Sequence, residues 1–502
     1  IHLNTIFHVF KEVALRNPDG PFLIAPAKKD KELEIFSFNS VLEKVVSISS
    51  IFFDKGYRAG LRVAVLLGST PDHYILKLAL NKIGVSVVPI NPDYTADETS
   101  YLLEDSSAIS VICGDIYIDQ MTEAIAHKKL DLPLVVFDDL SSLPVFNSTA
   151  ATENHVYPET EASLLYTSGT TGRPKGCILS QNYELMCGEV YTQIGNPVGL
   201  SFGKDRILNP LPSYHINAGI VTFFGAMLTG NCLIQPERFS ISSWWKDIRE
   251  TRATVFHYLG VIIAVLLADK STDKNVLCDL RIGFGAGVEP ALHVEFEDRF
   301  GIPLIECWGM TEMCRVLYVN EEPRQINTRA MGKPRKGLEV KVVDEDDIEV
   351  KRGMAGEMVV RHSEENPRKG AFSGYLNKEK ETEDAWRTGW FHTGDTVTMD
   401  KDGMLYFVDR AKNVEFRENI NKIKLLGKMF DPDVVLFETN TLIGYNAGTA
   451  ITTGDDNTAL GRNAYDAGTT GVRKKKVTVL KYRKKYEFVI EISDDVGLIS
   501  RQ

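Results

Sequence analysis

The chain has 502 residues, of which 43% are hydrophobic and 25% charged, and a formal net charge of -11. This length predicts two or more domains, and the composition is that of a globular protein able to bury a sizeable core. The acidic balance argues against nucleic acid as the main partner, which calls for a basic face, yet it leaves room for anionic ligands held by local fields.

In chain order, residues 1–60 read as amphipathic helices plus a hairpin, with a strand at 35–38 and Asn39 and Ser40 capping the helix that follows. Residues 63–67 form a buried strand, Pro71 opens a helix through about residue 83, and 85–90 is the next strand. Residues 98–103 are helical and 108–113 a strand. Strand–helix–strand alternation of this kind predicts βαβ units and a parallel, doubly wound sheet. The alternation resumes with helices at 181–195, near 217–229 and at 241–251, and strands at 232–234, 253–256, 280–283 and 304–308. From about residue 331 to 410 alternating strands separated by Gly turns predict a β-rich subdomain on the edge of the α/β body.

The seven cysteines, at 113, 177, 187, 232, 278, 307 and 314, are scattered and lack C-x-x-C spacing. They read as free thiols in a reducing, cytoplasmic compartment rather than a disulfide framework or zinc site. No apolar run approaches membrane-spanning length, and no signal peptide is expected.

Residues 164–177 are the stretch around which the chain is organised. An apolar strand ending at Tyr166 is followed by Thr167, Ser168, Gly169, Thr170, Thr171 and Gly172, then by Pro174, Lys175 and Gly176. Glycines let backbone N–H groups approach phosphate oxygens, hydroxyls add donors, and the lysine adds charge. A polar surface turn has a similar composition. Here every position from 167 to 172 suits phosphate contact and a lysine follows. The spacing is not that of the P-loop.

Four later stretches supply what a nucleotide site needs. Gly285, Ala286 and Gly287 follow a strand, where ligands sit at the carboxyl edge of an α/β sheet. Trp308, Gly309, Met310, Thr311 and Glu312 follow another. Trp308 offers a flat face for a purine, Thr311 a phosphate donor, and Glu312 a hard oxygen for the Mg2+ that carries a triphosphate. Asp395, at the end of the run 389–395, can accept from both ribose hydroxyls, and Arg410, closing a strand, can donate to the same sugar. Taken singly, each also suits a core tryptophan, an exposed carboxylate or a surface ion pair; their order and company favour the nucleotide.

In these motifs the sequence resembles the adenylate-forming superfamily of acyl- and aryl-CoA synthetases, luciferases and peptide-synthetase adenylation domains. Residues 166–176, 308–312, 389–395 and 409–410 carry the resemblance, with weaker matches at Val88-Pro89 with Asn91-Pro92, Gly332-Lys333-Pro334 and Gly374-Tyr375. It covers about residues 1–412 and is nearest to ligases of the crotonobetaine/carnitine–CoA kind. It implies a large N-terminal body, residues 1–410, of two α/β sheets plus the β-rich subdomain, and a small C-terminal lid. It also implies two-step chemistry. A carboxylate attacks the α-phosphate of Mg·ATP to give acyl-adenylate and pyrophosphate, and CoA thiolate then displaces AMP.

The resemblance assigns residues 167–172 and Lys175 to the leaving phosphates. Residues 285–287 and Trp308 go to adenine, Thr311 to the α-phosphate, Glu312 to Mg2+, and Asp395 and Arg410 to ribose. Tyr214-His215 stands where related CoA ligases carry an aromatic–His pair beside the reacting carboxylate. Asn217, Gly219, Val288 and Cys314 are acyl-pocket candidates. The Asp with which amino-acid-activating relatives pair the substrate amine has no counterpart, which favours a plain or differently charged acid. The implied partner is thus a small carboxylic acid, with ATP, Mg2+ and CoA, and self-association as a homo-oligomer is left open. An adenylation domain serving a carrier protein is disfavoured by His215.

Residues 411–502 break the pattern. Lys412 fits the hinge, but the turn after it lacks its glycine, and the lid lysine of the family, expected after a proline in a Gly-Lys context, has no match; Gly427-Lys428 comes too early. A repeat stands there instead, with 440–447 matching 457–464, and it resembles repeats of bacterial and phage surface fibres. The run 474–492 alternates basic and apolar residues and reads as a strand with a solvated or lysine-guarded face. A divergent lid and a fused foreign module are both open, and a nucleotide-binding protein with impaired turnover is the alternative to an active ligase.

Overall fold

A computed structural model describes residues 5–27, 32–146, 155–167, 173–269 and 279–410, with four short strands beyond them. The chain divides into two units, Ile1–Asp409 and Arg410–Gln502. Residues 168–172, Lys412, Cys278 and the side chain of Arg410, all singled out above, lie outside the described residues.

The first unit is built on two large mixed sheets. The first runs Met313–Tyr318, Leu304–Met310, Ile282–Ala286, Val255–Leu259, Arg206–Leu208, Cys232–Ile234, Pro21–Ala25 and Glu34–Ser37. The second runs Gly374–Tyr375, Lys175–Ser180, Glu161–Thr167, Ser86–Pro89, Arg62–Leu66, Ser110–Cys113 and Leu134–Val136. Inner strands pair in parallel, as the βαβ pattern predicts. Both ends of the first sheet and one end of the second are antiparallel. Arg62–Leu66, Ser86–Pro89 and Ser110–Cys113 are buried almost throughout, which is why they read as unbroken apolar runs.

Helices fill the layer between the sheets. Phe10, Tyr74, Leu78, Tyr183, Phe223 and Phe224 form one core with Phe22, Leu165, Leu233 and Ile282 of the strands. The helix Pro71–Lys82 is buried nearly all round, even at His73, Lys77 and Asn81. Outer layers cover the far faces, with Trp244, Ile263 and Phe296 on the first sheet and Leu102 and Met121 on the second. A third sheet, five-stranded and antiparallel, runs Ala330–Gly332, Leu405–Arg410, Phe391–Met399, Ala355–Arg361 and Glu339–Val343.

Several local expectations are corrected. The helix after the first hairpin begins at Phe38 and is capped by Ser37, whose Oγ accepts from Ser40 N–H at 3.2 Å, rather than by Asn39 and Ser40. The helix expected at 181–195 is two, Gln181–Gly188 and Val190–Gln193. The one near 217–229 opens as a π-helix, Asn217–Thr222, before the α-helix Phe223–Leu228. Two strands extend further than expected. Gly285 and Ala286 end a strand because Tyr258 and Leu259 continue the parallel ladder beside them. Trp308, Gly309 and Met310 belong to a strand because Met310 pairs with Met313 across a hairpin.

In the unit Arg410–Gln502, Thr441–Ile443 pairs in parallel with Thr458–Leu460, setting Thr441 opposite Thr458 in the register of the sequence repeat. Lys476–Val479 pairs antiparallel with Ile490–Ser493.

Candidate functional site

Thr167 and Lys175 are cross-strand partners at the end of the ladder between Glu161–Thr167 and Lys175–Ser180. Tyr166 anchors the outgoing strand by donating to Asp105 at 2.7 Å. The Lys175 ammonium lies over the ring of Tyr375, 4.8 Å from its centroid.

Thr311 and Glu312 form the two-residue turn of the hairpin closed by Met310 and Met313. Both of its carbonyls are tied down from distant segments. The Tyr183 hydroxyl donates to the Thr311 carbonyl at 2.7 Å, and Phe372 N–H donates to that of Glu312 at 3.0 Å. Glu312 is 7% exposed, and its side chain accepts from the Tyr375 hydroxyl at 2.8 Å. A held turn of this kind presents a hydroxyl and a carboxylate in fixed places, which is what catalysis by positioning needs.

On the same hairpin, the Trp308 indole N–H donates to Asp395 Oδ2 at 2.7 Å, and both side chains are buried. Asp395 follows Gly394, whose φ of +72° suits glycine and whose N–H donates to Glu357 Oε1 at 3.0 Å. The other Glu357 oxygen contacts His392 Nδ1 at 2.9 Å and Arg387 at 3.2 Å. Burial alone would raise the Glu357 pKa; the His392 ring, the Gly394 N–H and Arg387 outweigh it and hold the carboxyl below its ordinary value.

The glycine turn at 285–287 is built by close approach. A Cβ on Gly260 would come 1.9 Å from the Gly287 carbonyl oxygen, and Gly287 itself has φ +76°. Glu306, beside Gly285 in the parallel ladder, accepts from Gly287 N–H at 2.8 Å and from the Tyr258 hydroxyl at 2.6 Å. Burial pushes its pKa up to about 7 against the pull of those two donors.

His215 is exposed to solvent but sits in a recess, and desolvation holds its pKa below the ordinary imidazole value. Asn217 N–H approaches Nδ1 at 3.5 Å, which favours the tautomer protonated on Nε2. Next to it, Tyr214, Tyr117, Arg238 and Phe239 line a cleft of about 250 Å³. Asn217 accepts from Asn209 at 2.8 Å, and Asn209 also reaches Thr222, within 3.3 Å of the buried His257. Gly219 is buried where a Cβ would come 2.0 Å from the Ser213 carbonyl oxygen, Val288 packs in the outer apolar cluster, and Cys314 lies in the central core.

The structure therefore brings Lys175 and Glu312 together through Tyr375, and Trp308 and Asp395 together directly, with Trp308 and Glu312 on one hairpin. It does not bring Cys314 or Val288 to a described cavity. Sequence reasoning missed Glu306, Glu357, Tyr183, Tyr258 and Gly260. Glu306 had a signal, a lone carboxylate inside the apolar run 304–308. Glu357 had none, since its partners lie 35 and 37 residues away. Among the described residues no group of three or more His, Cys, Asp or Glu could hold a metal ion alone. A single buried carboxylate fits instead an ion that arrives already coordinated by phosphates.

Two wound sheets with a hydroxyl- and glycine-bearing rim at their strand ends define a nucleotide-binding α/β protein. The chain belongs to the AMP-binding enzymes, a family it matches over residues 10–376. It is 30% identical over 411 residues to sulfoacetate–CoA ligase of Cupriavidus necator, covering 80% of this chain and 78% of that protein. It is 27% identical over 407 residues to crotonobetaine/carnitine–CoA ligase of Proteus mirabilis, covering 78% and 77%. Among solved structures, ATP-bound MatB from Rhodopseudomonas palustris has a TM-score of 0.68 at 22% identity, covering 81% of this chain and 79% of that one. O-succinylbenzoate coenzyme A synthetase from Bacillus subtilis, in complex with AMP, has a TM-score of 0.68 at 23% identity with the same coverage. At these identities the likeness to the solved structures is one of fold.

Proposed function

We propose that this site activates a small carboxylic acid with Mg·ATP and that the residues described above hold the nucleotide. The protein is an ATP-dependent acid–thiol ligase. A carboxylate oxygen attacks the α-phosphorus, pyrophosphate leaves, and the CoA thiolate then displaces AMP from the acyl carbon. The observation that carries the assignment of residues is one hairpin with two sets of contacts: Tyr375 links Lys175 to Glu312 at its turn, and Trp308, on the strand leading into that turn, donates to Asp395.

In this reading Lys175 neutralises the leaving phosphates and the Thr311 hydroxyl donates to the α-phosphate. Asp395, held by Trp308, accepts from the ribose, and Gly285, Ala286 and Gly287 form a wall beside the purine. Mg2+ held at Glu312 would offset phosphate charge. His215, neutral at pH 7, stands beside the reacting carboxylate without adding a charge of its own. The chain's contribution to the first step is positioning and preorganised electrostatics.

The likeness to ligases named for sulfoacetate and for crotonobetaine or carnitine supports an acid that carries a second polar or charged group and no α-amine. Asn217 and Asn209 would supply neutral hydrogen-bonding capacity nearby. A cytoplasmic location fits the free thiols, six of which are described, and no helix among the described residues is long and apolar enough to cross a membrane. Residues 411–502, where no lid lysine can be matched, favour one second reading, a nucleotide-binding protein with impaired turnover.

Incubation with ATP, Mg2+, CoA and a panel of small acids, including sulfonated and betaine-bearing ones, is expected to release AMP and pyrophosphate with at least one of them. Tight ATP binding with no release for any acid would overturn the ligase and select the second reading.

A further inference from the structure

Gly374 and Tyr375 match the family only weakly in sequence, and no role follows from the motif itself. In the fold they occupy a junction. Gly374–Tyr375 adds a short strand to the edge of Lys175–Ser180, with Tyr375 opposite Cys177. Ser373 N–H donates to the Ile178 carbonyl and Leu376 N–H to that of Gly176, each at 2.8 Å, so the backbone on both sides of Tyr375 is fixed to the phosphate-side strand. Three residues before Tyr375, Phe372 N–H donates to the Glu312 carbonyl at 3.0 Å. One segment therefore joins the strand of Lys175 to the turn of Glu312.

The side chain repeats this bridge. Its hydroxyl donates to Glu312 Oε1 at 2.8 Å, a charge-assisted bond. Its ring carries the Lys175 ammonium at 4.8 Å, as the register predicts for residues two apart on paired strands. The ring is itself held edge-on by Phe372, with centroids 4.7 Å apart, and Tyr375 N–H donates to Thr382 Oγ1 at 3.0 Å.

We propose that Tyr375 is a positioning residue of the nucleotide site, setting Glu312 with its hydroxyl and Lys175 with its ring. The inference rests on the reading in which Glu312 holds Mg2+ and Lys175 the phosphates. A carboxylate that accepts from a fixed phenol is held in one direction, and partners of this kind tune metal affinity. A lysine resting on an aromatic face is held near the phosphates without being committed to a carboxylate.

The test is calorimetric titration of the full chain with ATP at a series of Mg2+ concentrations. In Tyr375→Phe the Mg2+ concentration that gives half the gain in ATP affinity is expected to rise about tenfold, the effect of losing an outer-shell partner. Its ATP affinity without Mg2+ should stay within about twofold of wild type, because the ring remains beneath Lys175. Tyr375→Leu is expected to weaken both. Glu312→Gln should abolish the Mg2+ dependence, and adding Tyr375→Phe to it should then change nothing further. A Tyr375→Phe midpoint equal to that of a Mg2+-dependent wild type overturns the inference alone. A wild type whose ATP affinity ignores Mg2+ overturns the Glu312 reading and the inference together. Thermal melts establish that each variant is folded, and the Phe variant, which keeps the ring, decides the matter if the Leu variant is not.

Discussion

Glu184 and Glu306 are carboxylates taken from water to different ends. Glu184 lies in the layer between the sheets with no exposure and meets the Lys77 ammonium at 2.9 Å. Burial pushes the lysine pKa down and the carboxyl pKa up, and their mutual attraction opposes both shifts. Glu306 stands at the strand ends beside the glycine turn and holds a backbone N–H and a phenol. Low exposure alone does not tell these two acids apart. The partner does: a cation that completes a packed core for Glu184, or the backbone N–H of a glycine turn for Glu306.

Breaking the core pair should have the largest effect. Lys77→Met leaves Glu184 buried without its cation and is expected to cost about 3–5 kcal/mol in denaturant unfolding. Adding Glu184→Leu should restore most of that loss, since the pair is then replaced by apolar contacts. A double variant as unstable as the single one would show that the pair contributes more than charge balance.

Glu306 sharpens the comparison through pH. Its folded pKa of about 7 lies above the ordinary 4.5, so the folded state keeps a proton that the unfolded chain has released. That contribution is complete below pH 4.5 and is lost as pH rises through 7. Relative to Glu306→Gln, wild type should lose about 2 kcal/mol between pH 4.5 and 7.5, less than the full shift because water reaches part of the side chain. Parallel stability–pH curves for the two proteins would contradict this.

The elements that read correctly from sequence are those fixed by local pattern. The runs at 63–67 and 85–90 could only be buried strands, and Pro71 could only begin a helix. The motifs that carry the family resemblance were legible because each is short and carries its own chemistry. What escaped depends on pairing between distant segments. The Thr311 carbonyl is satisfied by Tyr183, 128 residues away, and the Gly394 turn by Glu357. The strand ends at Gly285 and Met310 were misjudged because glycine signals a turn locally, whereas a neighbouring ladder carried the strand through it. The π-helical turn at Asn217–Thr222 leaves no mark on an apolar periodicity.

The central claim, that the rim around Trp308 and Asp395 holds the ribose of ATP, is tested most directly by titrating wild type and Asp395→Asn with ATP and with 2′,3′-dideoxy-ATP. Asparagine can still accept from the Trp308 indole, so the fold is expected to survive. Wild type should prefer ATP, and Asp395→Asn should bind ATP about tenfold more weakly or worse, with the preference lost, as removal of charge-assisted hydrogen bonds requires. An Asp395→Asn protein that binds ATP as tightly as wild type, with the preference intact, would contradict the account.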